Sequence, residues 1–198
     1  MQEPLPGIFT WAALSEPHGY DFNGTVVLHP EGNLCIDPVE PSTDVLDQLD
    51  RLGISRILVT NRNHTRGANA VRDRTGARLA LHPADAPHAR EQGVPPDDEL
   101  AIGQRVGPFT VVPVPGKSPG EIALHDPDRR ILVVGDVLIG NPPGGLSLLP
   151  EKVMDDPALL RKSVSSLLEI DFDVVLVGDG VSVLTGAKER LRELVAGF

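Results

Sequence analysis

The sequence predicts an α/β fold, a four-layer αββα sandwich with two mixed β-sheets face to face and helices outside, forming a single domain over residues 1–198. Three observations lead there. The predicted elements run ββαβαβ and then ββββαβα, two halves of similar grammar. Several strand segments are unbroken apolar runs, the pattern of strands covered on both faces. No Pro/Ser-rich linker separates the halves, and 198 residues suit one domain.

Each element has its own local reason. "GTVVLH" and "LCID" flank a Glu-Gly-Asn turn and predict a hairpin. "PSTDVLDQLDRLG" predicts a helix with Ser42 or Thr43 as N-cap, an apolar face of Val45, Leu46, Leu49 and Leu52, and Gly53 as the stop. "RILVT" is a buried strand, "NAVRDRTG" a short helix ending at Gly76, and "ARLALH" the next strand. Residues 83–100, rich in proline and charge, predict a short helix and a surface loop. "QRV", "FTVVPV", "EIALHD" and "RILVVGD" are short strands set off by Gly-Pro, Pro-Gly and Asp-Pro-Asp turns. Asp156 as N-cap and Pro157 at the first helical position open the helix "DDPALLRKSVSSLLEI". "DVVLVGDG" is a last buried strand and "AKERLRELVAGF" a closing amphipathic helix.

Composition narrows the function. Lys+Arg 18 against Asp+Glu 28 gives a formal net charge of −10, which repels phosphate backbones and anionic headgroups. Nucleic acid and membrane are therefore poor partners, and a small-molecule ligand or a protein partner is expected. The start "MQEPLPGIFTW" has neither a basic segment nor an apolar core, and no run of about 18 apolar residues occurs, so a cytoplasmic location is expected. Cys35 is the only cysteine, which excludes an internal disulfide, and "NLCID" makes it a small core hydrophobe.

The most informative stretch is "RILVTNRNHTRGANAV". Its apolar strand ends abruptly in Thr60, Asn61, Arg62, Asn63, His64, Thr65 and Arg66, and Gly67 then opens a helix. Together with Asp37 in "CIDP", and with "PGKSPG", "VVGD" and "VGDG" in that order, this loop resembles the metallo-β-lactamase superfamily, the αββα hydrolases that include hydroxyacylglutathione hydrolase. The resemblance runs from about residue 20 to the C-terminus. The family's motifs are an Asp after the second strand, Thr-His-x-His-x-Asp-His-x-Gly, Pro-Gly-His-Thr-x-Gly, Gly-Asp and Gly-His-Gly. Thr60, Pro115, Gly116, Gly120, Gly135, Gly178 and Gly180 keep the turn skeleton, and Gly67 stands one residue before the place of the loop's glycine.

The metal ligands of the pattern are mostly replaced. Its His, His, Asp and His fall on Asn61, Asn63, Thr65 and Arg66, while Lys117 and Asp179 stand where the later histidines do. Asp136, the bridging carboxylate of the pattern, remains. Zinc sites are built from imidazole, thiolate and carboxylate, so amides and a hydroxyl serve poorly. A guanidinium at position 66 cannot lose its proton to become a ligand. The resemblance thus implies a degenerate site lined by Asn61, Asn63, Thr65, Arg66, Lys117, Asp136 and Asp179 at one edge of the sheets. No metal or other cofactor is expected, and the two cations should offset the two carboxylates.

A non-hydrolytic binding, regulatory or scaffold protein is the favoured expectation. The alternative is a hydrolase of a small ester or thioester, with Asp136, Asp179 and His64 as catalytic candidates in a rearranged metal site or a metal-free acid/base site. His64 is otherwise read as a surface or supporting histidine. Competing motifs are weak. His82, Asp85 and His88 are interrupted by Pro83 and Pro87. "PGKSPG" has Val111 where a phosphate loop needs glycine, and Ser118 lacks a nucleophile elbow.

Overall fold

The computed structural model describes residues 1–198. The chain divides into two compact units, Met1–Leu100 and Ala101–Phe198. Each carries one mixed sheet with its own helices, the two mixed sheets expected of the α/β class.

The first unit holds β1 (Gln2–Leu5), β2 (Ile8–Ser15), β3 (Tyr20–Val27), β4 (Asn33–Ile36), α1 (Thr43–Leu52), β5 (Ile54–Val59), α2 (Ala68–Thr75), β6 (Arg78–Leu81), α3 (Ala86–Glu91) and β7 (Asp98–Glu99). Its seven strands lie in chain order. Strands β1 to β4 pair antiparallel, and β4 to β7 pair parallel. Strands β1 and β2 and the first half of β3 are additions to the sequence reading. Pro4 and Pro6 mask their signal, because proline usually marks a strand's limit. Trp11 on β2 is buried, and its indole N–H donates to the Val39 carbonyl at 3.2 Å.

Helix α1 starts as expected. The Ser42 hydroxyl accepts from Val45 N–H, and Gly53 ends the helix at φ 65. Leu49 then packs with Ile57, Val59, Val71 and Leu79, none of them exposed. Each such side chain contributes roughly 1.5–3 kcal/mol by leaving water. Cys35 belongs to this core, and burial, with the nearby Asp37 charge, pushes its thiol far above the ordinary range.

The second unit holds β8 (Arg105–Val106), β9 (Phe109–Pro113), β10 (Ile122–Asp126), β11 (Ile131–Val134), α4 (Pro157–Ser166), β12 (Val174–Val177) and α5 (Ala187–Val195). Its sheet order is β12-β11-β10-β9-β8, antiparallel except for the parallel β11–β12 pair. Asp156 caps α4 by accepting from Leu159 N–H at 2.9 Å, with Pro157 in the first turn. Leu160, Val164 and Leu191 from the helices pack with Leu132, Val175 and Phe172. No helix is long and apolar enough to cross a membrane.

The buried Cys35 thiol gives a direct check on the first core. At pH 8 a disulfide reagent such as dithionitrobenzoate should release no chromophore from the folded chain, and one equivalent per chain after denaturation. Rapid reaction of the folded protein would mean that the core around β4 opens readily.

Candidate functional site

In the first unit the site is organised by Asp37. Parallel pairing of β4 with β5 aligns Ile36 with Leu58, so the residues that follow, Asp37 and the loop after Val59, leave the sheet side by side. The Asp37 carboxylate accepts from Thr60 N–H at 2.8 Å and from the Thr60 hydroxyl at 2.6 Å, and meets His64 Nδ1 at 2.9 Å. Exposures of 5% for Asp37, 0% for Thr60 and 1% for His64 make this a dry cluster. Asp37 holds φ 48, a left-handed conformation that a non-glycine residue adopts only when its surroundings impose it.

The rest of the loop is equally tied down. Asn61 Oδ1 accepts from Asn63 N–H at 2.8 Å, and Asn61 O accepts from His64 N–H at 3.1 Å. Asp85 Oδ2 accepts from Arg62 N–H at 2.8 Å, and the Thr65 hydroxyl donates to Gln92 Oε1 at 2.7 Å. The Arg66 guanidinium lies 3.9 Å from the centre of the Phe22 ring, within cation–π range. Gly67 N–H donates to Pro38 O at 2.8 Å, and a β-carbon there would stand 2.4 Å from Val39 O. Only glycine lets α2 start this close to the end of β4.

In the second unit the centre is an ion pair. Lys117 Nζ lies 2.6 Å from Asp136 Oδ2, with both side chains 6% exposed. Asp136 N–H donates to Glu121 Oε1 at 2.9 Å, and Glu121 is 1% exposed. Lys117 is carried by a turn clamped to α4 and the segment before it. Asp156 N–H donates to Gly116 O at 2.8 Å, and the Ser163 hydroxyl to Pro115 O at 2.7 Å. Gly116, at φ 139, would drive a β-carbon to 2.3 Å from Leu160 N. Val134 pairs with Val177 in parallel register, so Asp136 and Asp179 each follow two residues beyond that pair on adjacent strands. Asp179 is buried, and its carbonyl accepts from Gly140 N–H at 2.9 Å.

The structure brings Asn61 to Asn63 and Lys117 to Asp136, as the motif frame suggests. Of the two cations expected to offset carboxylates, Lys117 pairs with one in its own unit, and Arg66 stacks on Phe22. Of the two readings given for His64, the surface one is corrected: the histidine is buried and bonded to Asp37, as a supporting residue would be. His82, Asp85 and His88 form no cluster, because the Asp85 carboxylate serves Arg62. Sequence reasoning missed Asp37 as the hub of the loop, and it missed Glu121. The available signal in both cases was a lone carboxylate abutting an apolar strand, in "CIDP" and in "GEIAL".

Comparison with known proteins identifies the family and the fold. Residues 3–198 match the family model described as the metallo-beta-lactamase superfamily. A hydroxyacylglutathione hydrolase of Cereibacter sphaeroides (strain ATCC 17029 / ATH 2.4.9) is 38% identical over 117 residues, covering 54% of this chain and 44% of that protein. One from Ectopseudomonas mendocina (strain ymp) is 31% identical over 138 residues, covering 67% of this chain and 50% of its own. The chain thus spans about half the length of these curated relatives. The solved structure of TTHA1623 in a di-iron-bound form is 26% identical, with a TM-score of 0.71, over 91% of this chain and 98% of that one. A metallo-beta-lactamase from Erythrobacter litoralis, at 16% identity and a TM-score of 0.78 over 100% of this chain and 96% of its own, shares the fold.

The ion pair makes a stability prediction. Lys117→Met keeps most of the stem volume but leaves Asp136 uncompensated, and breaking a buried pair from one side costs about 3–5 kcal/mol. The unfolding midpoint should fall by roughly 10 °C at neutral pH. An unchanged midpoint in a thermal melt would mean that the pair does not form in solution.

Proposed function

The chain belongs to the metallo-β-lactamase superfamily, and from that premise we propose that it has given up the two-metal hydrolysis its fold is built for and acts as a binding, regulatory or scaffold protein. The observation that carries this reading is the Lys117–Asp136 pair. The one carboxylate retained from the metal pattern is bonded at 2.6 Å to an ammonium. A metal ion there would have to displace a cation that is already in place and largely out of water.

The donor set points the same way. Asn61, Asn63 and Thr65 offer neutral oxygens, and Arg66 brings a fixed positive charge stacked on Phe22. Zinc, iron and manganese in hydrolytic sites draw on imidazole and carboxylate. These four residues therefore add none of the usual ligands of a binuclear metal centre. The ligand class that suits them is a small polar molecule, recognised by amide and hydroxyl hydrogen bonds, or a protein segment carrying such groups. The hydroxyacylglutathione hydrolase relatives support a thioester-derived ligand as the first to test.

A second reading, a metal-free hydrolase of a small ester or thioester, is favoured by one specific observation. His64 is held at Nδ1 by a buried carboxylate, the arrangement that orients an imidazole for proton transfer.

Metal analysis decides the first point. Protein purified without chelator should carry well under one equivalent of zinc, iron or manganese by elemental mass spectrometry. Lys117→His should gain no metal-dependent thioester hydrolysis, because Asn61, Asn63 and Arg66 still withhold ligands. One or more equivalents of metal, lost on Asp136→Asn, would overturn the proposal.

A further inference from the structure

We infer that His88, Gln92 and Thr65 form a proton-operated relay, in which the charge on a surface histidine sets whether the buried Thr65 hydroxyl acts toward Gln92 as donor or as acceptor. All three residues lie in the first unit. His88 on α3 and Gln92 at its C-terminal cap are one helical turn apart, and Thr65 belongs to the loop that carries Asn61, Asn63 and Arg66.

The starting state follows from matching donors to acceptors. The Thr65 hydroxyl donates to Gln92 Oε1 at 2.7 Å, which leaves the Gln92 amide nitrogen to face His88 Nε2 at 3.0 Å. An amide nitrogen only donates, so His88 Nε2 presents its lone pair. The ring proton then sits on Nδ1, the atom 4.0 Å from Glu91 Oε2. Glu91 and Arg90 are the charged neighbours on α3 itself. The other charged groups around the helix are engaged elsewhere. His82 accepts from Ala84 N–H, Asp85 accepts from Arg62 N–H, and Arg72 of α2 donates to Asn69 and to the Pro95 carbonyl. In the loop, His64 is bonded to Asp37 and Arg66 stacks on Phe22.

One more proton upsets this arrangement. An imidazolium carries N–H on both nitrogens, and Nε2–H cannot face an NH2 group. A half-turn of the Gln92 amide removes the conflict, since the last torsion of a glutamine side chain is roughly two-fold. Oε1 then accepts from His88 Nε2–H in a charge-assisted bond, while the amide nitrogen donates to the Thr65 oxygen. Both contacts are kept and both have reversed. Toward any group beside it, Thr65 is left an acceptor when His88 is neutral and a donor when His88 is charged. A residue 4% exposed thereby answers to a side chain 41% exposed, with no movement of the backbone.

The test is a proton–nitrogen NMR titration of the full chain from about pH 8 to about pH 5. Neutral His88 should carry its proton on Nδ1. The Gln92 side-chain NH2 and the Thr65 amide should shift with the same midpoint as the His88 ring. In Gln92→Leu the ring should still titrate while Thr65 stops following it, and in His88→Gln the Thr65 and Gln92 signals should lose that midpoint. Should a variant misfold, wild type still decides: a neutral His88 with its proton on Nε2, or a Thr65 signal that ignores the His88 midpoint, overturns the inference. So does a Thr65 titration that survives intact in Gln92→Leu, which would assign it to the neighbouring His64. No ligand or metal enters the experiment, so its outcome is separate from that of the metal analysis above.

Discussion

One carboxylate with three donors around it is the constraint on which the first half of the molecule depends. Asp37 ends β4, and its oxygens take up Thr60 N–H, Thr60 O–H and His64 Nδ1–H. Remove those acceptors and three buried donors face an apolar surround, each at a cost of about 1–3 kcal/mol. The loop from Thr60 to Gly67 therefore has little freedom, and Gly67 seals it by approaching the chain just beyond Asp37. A site presented by such a loop is preorganised by its support, since the chemistry-bearing residues are fixed before any ligand arrives.

The second half solves a related problem by different means. Buried acidic side chains are costly unless compensated, and Asp136 sits at a strand end beside Glu121. A metal ion is one way to compensate such groups, and an ammonium on a four-carbon stem is another. The two differ in what they leave available. A divalent ion keeps open positions for water and polarises it, whereas a lysine directs its N–H bonds at fixed acceptors and activates nothing.

Much of this was legible from the chain alone, because local signals wrote it. Gly53 and Gly76 stop helices at positive φ, and Asp156 with Pro157 starts one; these choices involve residues close in sequence. The turn frame also identified Asn61, Asn63, Lys117 and Asp136 as positions of interest. The role of Asp37 was not legible, since its partners are decided by which strands become neighbours and in what register. The choice between a surface and a supporting His64 stayed open for the same reason. In sequence it is one polar residue in a polar loop, and its burial arises only when the loop folds back so that Asn61 O accepts its N–H. The β1–β2 hairpin was hidden because prolines near its turn read as breaks while its strands gain their stability from β3.

The placement of Trp11 has a consequence for observing this molecule. It is the chain's only tryptophan, it lies in the first unit, and its indole N–H is bonded to Val39, two residues past Asp37. Intrinsic emission excited at the red edge of the protein band, where tyrosine is dark, therefore comes from a single fluorophore fastened to the clasp that holds the loop. Its spectrum reports the state of that clasp, so a wavelength shift on adding a compound locates the disturbance in the first half. The Lys117–Asp136 pair lies in the half without an indole, and changes confined to that half need another optical label.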